Sequence, residues 1–156
     1  MFCGILNGYL HEPTPANMAD VFSKQKRSWV MSRIRAKDTQ PEIAVRSFLH
    51  REGLRFRLHV WDLPGTPDIV LPKHRTVVFV HGCFWHDHIC MQGRKPRDNA
   101  PYWRQKLARN VQRDKENLKA LRAQGWRTVV VWACEIRKLG RLRRKFQALL
   151  NKRKKR

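Results

Sequence analysis

Ten consecutive residues, His81–Cys90 (HGCFWHDHIC), hold three histidines, two cysteines, an aspartate and a Phe84-Trp85 pair, directly after the apolar run Thr76–Val80. Thiols and imidazoles at this spacing are zinc donors, and imidazole is also the side chain suited to moving a proton near neutral pH. Cys83, His88 and Cys90 read C-x4-H-x-C, and Cys134 ends a later apolar stretch from which it can return as a fourth ligand. Four protein ligands leave no open position, so a zinc held there braces the loop instead of doing chemistry. Cys83 and Cys134 also suit ordinary buried thiols. His81 and His86 compete with His88 for the ligand role.

A second chemistry shares the segment. Phosphodiester hydrolysis needs an acid to hold a hard divalent cation, a base or metal to generate hydroxide, and positive groups for the charged transition state. Asp68 follows the turn Leu63-Pro64-Gly65-Thr66-Pro67 and opens a strand, while Val80-His81 ends the adjacent one. A carboxylate, a main-chain carbonyl and waters suit Mg²⁺. His81 and His86 are the bases left once zinc is served. Asp68 could instead cap its turn, and Glu42 could be only the acid of a helix-start capping box with Thr39. His59 and His74 read as solvated or satisfied; Asp87 reads as a neighbour of the zinc ligands or as solvated.

The elements that must position these groups follow from periodicity. Phe22–Lys37 suits a short helix with a basic outer face. A helix begins at the Thr39-Gln40-Pro41-Glu42 cap and stops at Gly53. Leu54–Val60 alternates as a half-buried strand does. Asp68–Leu71 is a second strand and Thr76–Val80 a third, central one. Met91–Ala100 is a polar loop, Tyr102–Gln124 a helix stopped by Gly125, and Trp126–Cys134 a buried strand with Trp126 and Trp132 in the core. Ile136–Arg156 carries 11 Lys/Arg, no acid, and a helical stripe of Leu139, Leu142, Phe146 and Leu149. The order predicts one mixed α/β domain with a central sheet over residues 18–156. Residues 1–17, including Cys3 and His11, are expected to be a disordered extension without chemistry, with Met18 as the natural start.

The formal charge is +22, from 34 Lys+Arg against 12 Asp+Glu. Such an excess calls for a polyanion. No apolar run reaches the ~20 residues of a membrane span, so nucleic acid is favoured over a membrane surface. The mixed Cys/His spacing points to metal ligation in a reducing compartment.

From about Met18 to Cys134 the chain resembles the very-short-patch repair (Vsr) endonucleases. Four stretches carry the resemblance: Asp38-Thr39-x-x-Glu42; Leu63-Pro64-Gly65-Thr66-Pro67-Asp68; Phe79-Val80-His81-Gly82-Cys83-Phe84-Trp85-His86-x-His88-x-Cys90; and Asn110-Val111-x-Arg113-Asp114, leading to Gly125-Trp126-Arg127 and Val131-Trp132-x-Cys134. The resemblance implies a restriction-endonuclease-like core, a structural zinc, and a Mg²⁺-dependent enzyme that nicks 5′ to the T of a T:G mismatch left by 5-methylcytosine deamination. It places the Mg²⁺ site on Asp68 and the Val80 carbonyl, and the base on His86. His81 and Glu42 support them, zinc falls on Cys83, His88, Cys90 and Cys134, and the DNA wedge on Phe84, Trp85 and Trp103; the residues alone also suit burial of Trp85 and Trp103 in the core, and favour it for Trp103.

It further implies double-stranded DNA as partner and a functional link to a cytosine-5 DNA methyltransferase and to mismatch-repair proteins such as MutL. The protein is expected to be a bacterial, cytoplasmic monomer. Val80 stands where a family member has Thr, which a carbonyl ligand tolerates, and Asp87 replaces a histidine. The competing readings are a restriction-type endonuclease that cuts matched DNA and a non-catalytic zinc-stabilised DNA-binding module. The basic segment 136–156 reads as a helix packed on the body that contacts phosphates without reading sequence.

Overall fold

The computed structural model describes residues 23–33, 35, 37–93, 95 and 100–154. The 1–17 extension, Cys3, His11 and Met18 lie outside them. The elements are α1 (Lys24–Arg33), α2 (Gln40–Arg51), β1 (Arg57–Leu58), β2 (Ile69–Leu71), β3 (Thr76–His81), α3 (Ala100–Ala123), β4 (Arg127–Trp132) and α4 (Leu139–Lys154). The strands form one sheet in the order β1-β2-β3-β4. The first two pairings are antiparallel, and β3–β4 is parallel. A parallel neighbour requires a crossover, and α3 supplies it.

The strands alternate between two cores, as a period of two demands. Ile69, Leu71, Val78 and Val131 face Val45, Phe48 and Leu49 of α2 and Leu142, Phe146 and Leu149 of α4. Val70, Val77 and Phe79 face Leu121 of α3. The sheet is therefore covered by helices on both sides, as the sequence predicts. The basic C-terminal segment is a helix packed on the body, though Leu139 stands outside its stripe at 57% exposure.

Both predicted helix stops hold. After α2, Gly53 takes φ 70°. Its N–H donates to the His50 carbonyl, and the Leu54 N–H donates to that of Leu49. This paired closure needs a left-handed residue. Gly125, at φ 77°, ends α3 in the same way.

Three expectations change. The Leu54–Val60 strand shrinks to Arg57–Leu58, because Leu54 is spent closing α2 and His59 turns to φ 49°. The Thr39/Glu42 capping box is rearranged. The Thr39 hydroxyl donates to Glu42 Oε1 at 2.7 Å, and Glu42 Oε2 accepts the Asp38 N–H at 3.0 Å. Trp126 and Trp132 are half-buried rather than core. Trp126 packs at the margin of the α3-side core, and Trp132 leaves both cores for the histidine cluster.

Candidate active site and metal centre

The β2–β3 register pairs Ile69 with Val78. Asp68 and Val80 therefore meet just beyond the paired stretch, where the Val80 N–H donates to Asp68 Oδ2 at 2.7 Å. A strand residue exchanges both of its backbone bonds with one side, so the Val80 carbonyl belongs to the edge that Asp68 occupies. Burial, countered by the Val80 N–H, pushes the Asp68 carboxyl up to about 6. Asp68 lines a cleft of about 1110 Å³ with Glu42, Val80, His81, Trp85, His86 and Asp114.

His81 is 6% exposed. Its ring stacks on His86 at 3.8 Å and 4°. Burial first, and then the adjacent His86 ring, push His81 down to about 4, so it is neutral at pH 7. His86 pairs through Nδ1 with Asp114 Oδ2 at 2.5 Å, which leaves Nε2 for the cleft. Burial would raise the Asp114 carboxyl, but the hydrogen bond from His86 holds it below the ordinary range. The sequence reading missed Asp114 as a site residue. The signal was present: on α3 it continues the spacing Leu107, Val111, Leu118, Leu121, an acid set in an apolar stripe.

Glu42 sits at 4% exposure in the cleft wall with both oxygens engaged. Besides Thr39 and the Asp38 N–H, it accepts Arg46 Nη2 at 2.9 Å. Arg46 also pairs with Asp38 and approaches His59 Nε2 at 3.4 Å. His59 is thus satisfied inside a charged cluster, not isolated. Asp87 pairs with Lys95 at 2.7 Å.

Phe84 and Trp103 are 3% and 7% exposed. Phe84 lies 5.0 Å from Trp85 and 5.1 Å from Trp103 in edge-on contacts. Trp85 is half-buried and lines the cleft. Lys106, unnoticed in the sequence, holds its ammonium 5.4 Å from the Trp85 ring and 5.5 Å from those of Tyr102 and Trp103.

Cys83, His88, Cys90 and Cys134 form a separate cluster, with one donor atom from each within 4.8 Å of the others. Cys134 Sγ lies 3.7 Å from His88 Nδ1. Tetrahedral zinc with bonds of about 2.0–2.3 Å spaces its donors by about 3.3–3.8 Å, so the set fits that ion. His81 and His86 stand apart from it, grouped with Asp114. Burial, with thiol neighbours, pushes Cys83 up to about 12. A bound dication is what would let such a thiol ionise at neutral pH. Gly93 closes the loop: a Cβ there would lie 2.0 Å from the His88 carbonyl oxygen, so no side chain fits.

A helix-flanked mixed sheet, with a cleft carrying a carboxylate and an Asp-supported histidine, suits an endodeoxyribonuclease, and comparison with known proteins makes that class definite. The family profile described as "DNA mismatch endonuclease Vsr" matches residues 19–92. The "Type II nicking enzyme V.XorIIP" of Xanthomonas oryzae pv. oryzae is 50% identical over 134 residues, covering 86% of this chain and 98% of that protein. "Type II nicking enzyme V.NmeAIP" of Neisseria meningitidis is 42% identical, covering 85% and 95%. The "DNA mismatch endonuclease Vsr" of Escherichia coli K12 is 42% identical, covering 77% of each chain. The chain belongs to the Vsr family and is a DNA-nicking endonuclease.

Proposed function

We propose that the protein is a Mg²⁺-dependent nickase that cuts 5′ to the T of a T:G mismatch, within a restriction-endonuclease-like core braced by zinc. One observation carries the reading: the loop after β3 brings His86, paired with Asp114, to the cleft that holds Asp68, while its cysteines gather elsewhere with Cys134. Asp68 Oδ1 and the Val80 carbonyl are the groups that would hold Mg²⁺, which supplies charge stabilisation at the scissile phosphate.

The protein's own part follows. His86 takes the proton of the attacking water at Nε2, and Asp114 keeps Nδ1 protonated and the ring in place. His81, neutral and stacked, fixes the second face of that ring. Glu42 shapes the cleft wall and helps to order water there. The products are a 5′-phosphate and a 3′-hydroxyl. Cys83, His88, Cys90 and Cys134 hold zinc as a brace.

Phe84, Trp85 and Trp103 form the wedge. The half-buried Trp85 meets the duplex first. Unstacking costs a few kcal/mol and least at a mismatch, so trading ring–ring contacts for base contacts favours the mismatched step. The basic face of α4 contacts phosphates. The same reading gives a cytoplasmic bacterial monomer acting on mismatched double-stranded DNA, linked to a cytosine-5 DNA methyltransferase and to mismatch-repair proteins such as MutL.

The test is product analysis on matched and T:G duplexes with varied flanks. A single nick confined to the T strand of mismatched DNA is expected; equal cleavage of matched DNA would overturn the mismatch reading. Asp114→Asn should lower the nicking rate by about a hundredfold, because an unoriented base loses most of its advantage. Duplex affinity should stay within about twofold, since the paired carboxylate adds no phosphate contact. Rate and affinity are separated by single-turnover kinetics and a binding titration.

A further inference from the structure

Trp132 connects two groups of residues that otherwise face different directions. Its ring stacks on His88 at 4.2 Å and 15°. It meets the His81 ring in a T-shaped contact at 5.4 Å and 70°. His81 in turn stacks on His86, whose Nδ1 is held by Asp114. Four rings therefore run in unbroken contact from the cysteine-rich cluster to the cleft.

Sheet register creates this contact. β3 and β4 are parallel, and His81 pairs with Trp132. Partners at one register position project from the same face, so the indole lies beside the imidazole wherever the two strands pair. The main chain of Trp132 is also fixed. Its N–H donates to Glu135 Oε2 at 2.9 Å. Lys145 of α4 pairs with that carboxylate at 2.9 Å and donates to the Val130 carbonyl at 2.6 Å. The indole is thus held at its base by β4 and α4, and on its two sides by His88 and His81.

We propose that Trp132 is a positioning residue that couples the metal-binding cluster to the cleft, setting the His81–His86 stack from the plane of His88. The proposal rests on the zinc and base assignments given above. A ligating imidazole has a fixed plane, and second contacts that orient such rings are part of how a site is built. Stacking passes that plane to the indole, and the T-shaped contact with the indole limits the tilt of His81. Without it, His81 gains room to rotate, and His86 loses the flat partner that holds it against Asp114.

The experiment uses zinc-loaded Trp132→Leu and Trp132→Phe, with three readouts: zinc content, imidazole ¹H–¹⁵N correlation spectra of His81 and His86, and nicking of a T:G duplex. Trp132→Leu should keep its zinc and bind DNA within about twofold of wild type, because no ligand or phosphate contact is lost. Its kcat should fall by about a hundredfold with KM little changed, as for a small misplacement of a reacting group. Its His86 signals should shift or broaden. Trp132→Phe restores a ring and should recover most of the rate and the wild-type spectrum; if the leucine variant fails to fold, a zinc-bound phenylalanine variant with displaced His86 signals and a rate about a hundredfold down would show that a ring at this position does not set the stack, and would overturn the proposal. Wild-type His86 signals in Trp132→Leu would overturn the proposal. So would loss of zinc from both variants, which would make the indole part of the metal holder itself. If the wild-type protein nicks no mismatch, the proposed function fails, yet the imidazole spectra still decide whether Trp132 couples the two groups.

Discussion

Asp68→Asn should reduce Mg²⁺-dependent nicking of a T:G duplex by about a thousandfold or more while duplex binding survives, the loss expected when the carboxylate that would seat a catalytic cation is removed. The other cleft carboxylates are already engaged: Glu42 by Thr39, Asp38 and Arg46, and Asp114 by His86. Asp68 has one oxygen on the Val80 N–H, a bond that an asparagine carbonyl can keep, so the substitution removes charge with little change of shape. The matching pH dependence has a definite sign. Burial raises the Asp68 carboxyl from 3.8 to about 6 in the metal-free protein. Stability associated with its protonated form is fully present below pH 3.8 and is lost as pH rises through about 6, amounting to about 3 kcal/mol at neutral pH. The metal-free Asp68→Asn variant should therefore match or exceed the wild type in urea stability at pH 7, with the gap closing near pH 4. In the Mg²⁺ reading, protons and the cation would compete for this carboxylate, so wild-type activity should fall below about pH 6 and recover with added Mg²⁺. Persistent Mg²⁺-dependent nicking by the asparagine variant would remove Asp68 from the site.

Cys134→Ser should lose zinc and, with it, both stability and activity, even with Mg²⁺ in excess. The loop from Gly82 to Gly93 has little regular structure; a series of short turns carries it, with the His88 N–H on the Cys83 carbonyl and the Gly93 N–H on the Cys90 carbonyl. Its side chains face both the cleft and the cysteine cluster, so freeing one end frees His86. Structural zinc contributes about 10 kcal/mol or more where it organises a small domain. Here two helix-covered cores remain, and a loss of several kcal/mol is expected, read as a lower urea midpoint together with zinc content. Binding must drive protons from thiols as weakly acidic as Cys83, so zinc retention should weaken as pH falls. Undiminished zinc in the serine variant would exclude Cys134 as a ligand.

The sequence revealed whatever depends on neighbours along the chain. Short apolar runs bounded by turns marked β2 and β3, glycines marked the ends of α2 and α3, and C-x4-H-x-C brought three donors together before any fold was known. It revealed less where a partner comes from far away. The pairing of His86 with Asp114 spans 28 residues, and nothing local distinguishes that aspartate except its place in an apolar stripe. Trp132 looked like core because it ends an apolar strand; only the parallel register shows that it faces His81. The Leu54–Val60 alternation was real but did not yield a full strand, because closing α2 used its first residue. Glu42 fitted a capping box by spacing, while Arg46, one helical turn on, redirected its carboxylate.

The position of Cys134 beyond the crossover also orders assembly. It lies 46 residues after His88, across α3, so its return requires a loop closure whose entropy is offset only once β4 has docked on β3. In the zinc reading, a chain still lacking β4 offers three donors and a slack catalytic loop; the ion becomes fully held at the step that completes the sheet. A partly made or locally unfolded nuclease would thus have no fixed base with which to cut the genome around it, and the metal would act as an interlock that arms the enzyme last.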